Sequence, residues 1–215
     1  MAVGPWPLFP NSISQGNKMD LLARVQDAVA EAISLKKHFF DEQAEAVVAA
    51  ARMLAQVFKK GGKVLIFGNG GSAADAQHLA AEFVNRFLVE RPPLAALALT
   101  TDTSILTAVA NDYDFREVFA KQVRALGRRG DAALGISTSG KSPNVVAGLK
   151  AARELGLKTL ALSGGDGGPV AASADLALVV PSRQTPRIQE VHITMGHVLC
   201  DLVDYILFPE KFPGI

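Results

Sequence analysis

Five short apolar runs recur along this chain, at residues 63–67, 94–99, 132–136, 158–162 and 176–180, each closing on polar or turn residues. Runs of this length without alternation suit strands buried on both faces, as in a parallel sheet. Helical spacing fills the gaps at 73–88, 104–110, 115–126 and 142–155, and parallel neighbours need crossovers of that kind. The alternation predicts a doubly wound α/β fold with a five-stranded parallel sheet.

Upstream, Leu21, Leu22, Val25, Val29 and Ile33, then Val47, Val48, Leu54, Val57 and Phe58, also keep helical spacing. Two N-terminal helices are expected, broken near Phe39-Phe40-Asp41. A long last helix should run over 184–207, ahead of Pro209. At 215 residues and 49% hydrophobic, the chain can bury one full-sized core, so 19–215 is expected to form one domain. Residues 1–18 have no basic start ahead of an apolar run; they read as a disordered tail, not a signal peptide.

Lys plus Arg (22) and Asp plus Glu (21) leave a net charge of +1, so no overall field draws the protein to nucleic acid or an anionic membrane. Cys200 is the only cysteine. No intrachain disulfide is possible, and a reducing cytoplasmic setting is expected. No stretch of about 18–20 apolar residues suggests a membrane span.

Ligands of open parallel sheets bind beyond the carboxyl ends of the strands, so the loops there matter most. Gly68-Asn69-Gly70-Gly71-Ser72 follows the first run and opens a helix; glycines expose N–H groups, and a helix start favours an anion. A tight connection is the plainer reading. Ser137-Thr138-Ser139-Gly140-Lys141-Ser142 offers four hydroxyls at a helix start, more than the cap that Ser142 ahead of Pro143 could supply. A phosphate site is expected there. Ser163-Gly164-Gly165-Asp166-Gly167-Gly168 reads as a mobile connection.

His78 and Glu82 stand four residues apart on one helix face, able to share a metal, exchange protons or simply meet solvent. Gln189 and His197 lie eight apart on the last helix, about 12 Å along its axis, too far for one straight helix to bring both easily to one ion. His192 reads as a partly buried helix histidine. Asn111-Asp112 suits a turn or a clamp for sugar hydroxyls equally.

Taken together these motifs resemble the sugar isomerase (SIS) domain superfamily, whose fold is flavodoxin-like, and within it the phosphoheptose isomerases, over roughly 19–207. The resemblance implies interconversion of sedoheptulose 7-phosphate and glycero-manno-heptose 7-phosphate, at the entry to bacterial heptose and lipopolysaccharide core synthesis. It implies a homotetramer with sites between subunits, which would ease the reach problem of Gln189 and His197. Carried over by position, His78, Glu82, Gln189 and His197 match a zinc site, and Glu82 and His197 match the catalytic acid/base pair. Asn69, Gly70, Gly71, Glu82, Asn111, Asp112, Ser137, Thr138, Ser139, Ser142 and Gln189 match substrate contacts.

Two rivals share the scaffold. A replication-initiator-associating relative is similar over 121–127 and in Cys200-Asp201-Leu202-Val203-Asp204, but lacks the matching glutamate and last histidine. A sugar-sensing SIS module would keep the 137–142 loop and need neither. Glu82 and His197 are therefore the discriminators.

Overall fold

Residues 20–212 are described here by a computed structural model. The five apolar runs become β1 (Val64–Gly68), β2 (Ala96–Ala98), β3 (Ala132–Ser137), β4 (Lys158–Gly164) and β5 (Leu176–Val180). They form one all-parallel sheet in the order β2-β1-β3-β4-β5. The order reverses between β1 and β3, which is where a doubly wound sheet opens its ligand crevice. Their ladder runs from Val64 opposite Ala132 to Gly68 opposite Ile136. Both strands therefore end at one level, with the 68–72 and 137–142 loops side by side.

Strand side chains alternate between two apolar layers. Val64, Ile66, Leu134, Ile136, Leu160 and Leu162 face α1 (Leu21–Lys59), α2 (Gly71–Val84) and α7 (Thr185–Leu207). Leu65, Phe67, Ala133 and Ala161 face α3 (Thr103–Asp112), α4 (Val118–Leu126), α5 (Pro143–Glu154) and α6 (Gly168–Ala172). Phe67 stacks on Phe119 at 5.1 Å between ring centroids, fixing β1 against the second layer.

One expectation fails at the start of the fold. Instead of two helices broken at Phe39-Phe40-Asp41, α1 is continuous for 39 residues. No Gly or Pro interrupts it, Lys37 pairs with Asp41 at 2.6 Å across the supposed break, and Phe39 is fully buried. Aromatic residues there anchor the helix; they do not end it. The helical pattern at 115–126 also divides, into a 3₁₀ turn at Phe115–Glu117 and then α4, with Asp114 accepting the N–H of Arg116 at 2.7 Å. The expected tail at 1–18 lies outside the described residues. Among those described, no helix is long and apolar enough to cross a membrane.

Candidate active site

Helices α2 and α7 lie on the same face of the sheet and run side by side in the same direction. Gly71 meets Gln189 at one end, and Leu79 and His78 meet Gly196 and His197 further along. Two glycines permit this approach. A Cβ on Gly71 would collide with the Gln189 amide, and a Cβ on Gly196 would come within 2.5 Å of the Leu79 side chain. The eight-residue separation of Gln189 and His197 is thereby matched by the length of α2.

At the far end His78 Nε2 and His197 Nε2 are 2.8 Å apart, so one imidazole donates to the other. Glu82 Oε1 lies 3.5 Å from His78 Nε2. Phe87 stacks on the His197 ring at 5.4 Å and limits its rotation. These are donor types that zinc accepts, and they converge from two helices. Among the described residues, however, no three His, Cys, Asp or Glu side chains are already spaced as a complete metal site. Gln189 lies beside Gly71, at the other end of the helix pair.

Arg91 fixes this pair of helices from behind. Its guanidinium donates to the Glu82 and Phe83 carbonyls at 2.9 and 2.7 Å, satisfying the end of α2, and to Asp204 of α7 at 2.8 Å. The ion pair is fully buried. Removing one partner would strand the other charge, at a cost of about 3–5 kcal/mol. Asp75, one turn before His78, has a buried carboxylate oxygen without a partner. Burial pushes its pKa up to about 6, opposed by the neighbouring His78.

The hydroxyl loop is wired internally. Ser137, 3% exposed, sits with its Oγ 2.9 Å from Ser142 Oγ and 3.4 Å from Ser139 Oγ, and Ser139 Oγ accepts the N–H of Lys141 at 3.2 Å. Ser142 occupies the N-cap position of α5 but makes no side-chain cap bond. Its hydroxyl is turned toward Ser137 instead, which corrects the capping role expected for it. The α5 N-terminus thus stands beside a cluster of hydroxyls, an arrangement suited to an anion, although Pro143 has no N–H and that of Val145 goes to Asn144 Oδ1.

The Ser163–Gly168 loop is another correction, since it is tied down where mobility was expected. Ser163 Oγ donates to the Gly167 carbonyl at 2.9 Å, Gly165 N–H to Val180 and Ser182 carbonyls, and Val170 N–H to the Gly140 carbonyl. With Thr138, Ser139, Lys141 and Arg183 it lines a cavity of about 780 Å³ at the carboxyl ends of β3, β4 and β5. His192 is fully buried and bonded through Nε2 to the Ser163 carbonyl at 3.1 Å. Burial depresses its pKa to about 4. Asn111 and Asp112 are not in a turn; they end α3, exposed, with the Asn111 amide donating to Asp112 at 2.8 Å.

Residues 29–164 match the SIS domain. A phosphoheptose isomerase of Nitratidesulfovibrio vulgaris is 57% identical over 184 residues, 86% of this chain and 88% of that protein. The solved phosphoheptose isomerase of Neisseria gonorrhoeae is 50% identical, with a TM-score of 0.81 over 86% of this chain and 98% of its own. That of Francisella tularensis is 40% identical, with a TM-score of 0.83 over 86% and 99%. The chain belongs to the phosphoheptose isomerase family of SIS domain proteins.

Within that family the features shared with the initiator-associating relative have a structural explanation. Gln122, Val123, Cys200, Val203 and Asp204 are buried, with Gln122 bonded to the Leu99 and Val118 carbonyls and Asp204 to Arg91. They hold the scaffold. Glu82 and His197, by contrast, are only partly buried and meet around His78. Asp75, Arg91 and Asn144, which support the site, went unnoticed in the sequence. Spacing from His78 could have flagged Asp75; nothing local marks the other two.

Proposed function

We propose that this phosphoheptose isomerase family member interconverts sedoheptulose 7-phosphate and D-glycero-D-manno-heptose 7-phosphate through an enediol, as the entry step of heptose synthesis for lipopolysaccharide. The observation that carries this reading is the meeting of His78, Glu82 and His197 from two helices, in a chain that also carries a hydroxyl-lined loop at the start of α5.

Isomerisation moves one proton between carbons and one between oxygens. Glu82 takes the proton from C1 of the ketose and returns it to C2 of the enediol. His197 carries the proton between O1 and O2, held in orientation by Phe87 and in hydrogen-bond contact with His78. The cradle of Ser137, Thr138, Ser139 and Ser142 anchors the phosphate. His78, Glu82 and His197 supply zinc-compatible donors; Gln189, which lies beside Gly71 at the other end of the helix pair, would complete the set only from a neighbouring copy of the chain. When bound, zinc would polarise the substrate carbonyl.

Assembly into a homotetramer belongs to the same proposal. Leu22, Val25, Val29 and Ile33 form an apolar stripe on the first half of α1, each more than half exposed, an arrangement suited to packing against other copies. A sedimentation mass of one chain at micromolar concentration would overturn that part. In the tetramer, the exposed Asn111 and Asp112 would serve a site between subunits.

The test is incubation of purified, zinc-loaded protein with sedoheptulose 7-phosphate while aldose formation is followed. Glu82→Gln and His197→Ala should each lower kcat by about 10²–10⁴-fold. Near-normal turnover by a folded Glu82→Gln protein would remove Glu82 as the base. Wild-type protein without turnover under any metal condition would favour the initiator-associating reading.

A further inference from the structure

The β1–β3 ladder stops at Gly68 opposite Ile136, and past that point each chain turns into its own helix. Two side chains carry the connection onward. Asn69 Nδ2 donates to Asn144 Oδ1 at 2.9 Å, and Asn144 Nδ2 donates back to Asn69 Oδ1 at 2.8 Å. The amides close a ring of two hydrogen bonds, in which turning over either amide alone would set oxygen against oxygen and nitrogen against nitrogen. Asn144 is 2% exposed, and its Oδ1 also takes the N–H of Val145 at 3.0 Å. Among the described residues, these are the side-chain hydrogen bonds joining the glycine loop to the first turn of α5.

We propose that Asn144 is a positioning residue. Through its amide pair with Asn69 it sets the spacing between the Gly70-Gly71 backbone and the hydroxyls of Ser137, Ser139 and Ser142, and so the affinity for a phosphate monoester. Asn69 acts through this pair, and its side chain does not itself contact the substrate. Its acceptor oxygen and one of its two N–H donors are already committed to Asn144. Its second N–H remains uncommitted beside Gly70 at φ +56°, and the double variant tests whether that N–H reaches substrate. The proposal rests on reading the hydroxyl cradle as the phosphate site.

Phosphate affinity and turnover separate the two claims. Inorganic phosphate is titrated calorimetrically into the full-length protein, and KM and kcat for sedoheptulose 7-phosphate are measured alongside. The proteins compared are wild type, Asn69→Ala, Asn144→Ala, their double variant and Asn144→Asp. Each single alanine should weaken phosphate binding and raise KM by about tenfold, as for one lost network, and the double should be no worse than either single. Asn144→Asp keeps the shape but turns a carboxylate oxygen toward Asn69 Oδ1, so it should match Asn144→Ala. If Asn144→Ala fails to melt cooperatively, the cycle is completed with Asn144→Asp.

Multiplicative losses in the double variant would overturn the proposal, because Asn69 would then contact substrate independently. So would phosphate affinity within twofold of wild type in either folded Asn144 variant. Wild-type protein that binds phosphate without isomerising the heptulose phosphate would sink the isomerase reading and leave the pair standing. Absence of phosphate binding by wild type overturns the pair.

Discussion

The histidine cluster and the hydroxyl loop proposed to cradle phosphate are built in opposite ways. In the cradle, hydroxyls and N–H groups satisfy one another within six consecutive residues, Ser137 to Ser142, on a strand–loop–helix unit. The cluster instead draws His78 and Glu82 from α2 and His197 from α7, with His78 and His197 119 residues apart in the chain. A contiguous anion site depends on local backbone geometry, whereas the cluster depends on how closely two helices pack. Damage to helix packing should therefore reach the chemistry, and damage to the loop should reach affinity.

Beyond the proposed acid/base residues themselves, the largest expected effect is at Gly71. In Gly71→Ala the added Cβ would push aside the end of the Gln189 side chain, and kcat should fall by up to about a hundredfold, as for loss of a group that supports a metal site. Adding Gln189→Ala should cost little more, since the amide has already moved. Turnover of Gly71→Ala within threefold of wild type would show that the Gln189 amide takes no part in the chemistry.

A smaller effect should follow Ser142→Ala, which removes the partner of Ser137 Oγ. KM should rise about tenfold, the equivalent of one hydrogen bond of about 1.4 kcal/mol, with a much smaller change in kcat. A fall in kcat larger than the rise in KM would erase the distinction between cradle and cluster.

The smallest effect is on stability. His192 has an unfolded pKa near 6.5 and a folded value depressed to about 4, so it favours folding above pH 6.5. That contribution is lost as pH falls through 4. His192→Gln keeps a donor for the Ser163 carbonyl without a titrating ring. Its melting temperature should fall less steeply than that of wild type between pH 6.5 and 4, a difference of several degrees by calorimetry. Parallel curves would show that the buried ring carries none of the acid sensitivity.

Legibility in the sequence divides along the same line. Strand runs and glycine loops could be read because their signal is local, set by a few adjacent residues. The continuity of α1 through Phe39-Phe40 could not, because burial of Phe39 against the core is a tertiary fact. Ser142 looked like a cap because of Pro143, yet its hydroxyl found Ser137 instead. The glycines at 164–168 suggested mobility until the carbonyls and N–H groups they meet were known. Arg91 and Asn144 have no local signature, since their side-chain partners, Asp204 and Asn69, are 113 and 75 residues away.

The side-by-side packing of α2 and α7 also sets a timetable. During synthesis the sheet edge with both loops is complete once the chain has passed Glu154, but His197 arrives with the final helix, which must dock against both α2 and α1. A chain ending at Glu154 carries both loops but not His197, which meets His78. The proposed acid/base pair is completed only by the last helix made, and a chain truncated before it leaves His78 with Glu82 alone.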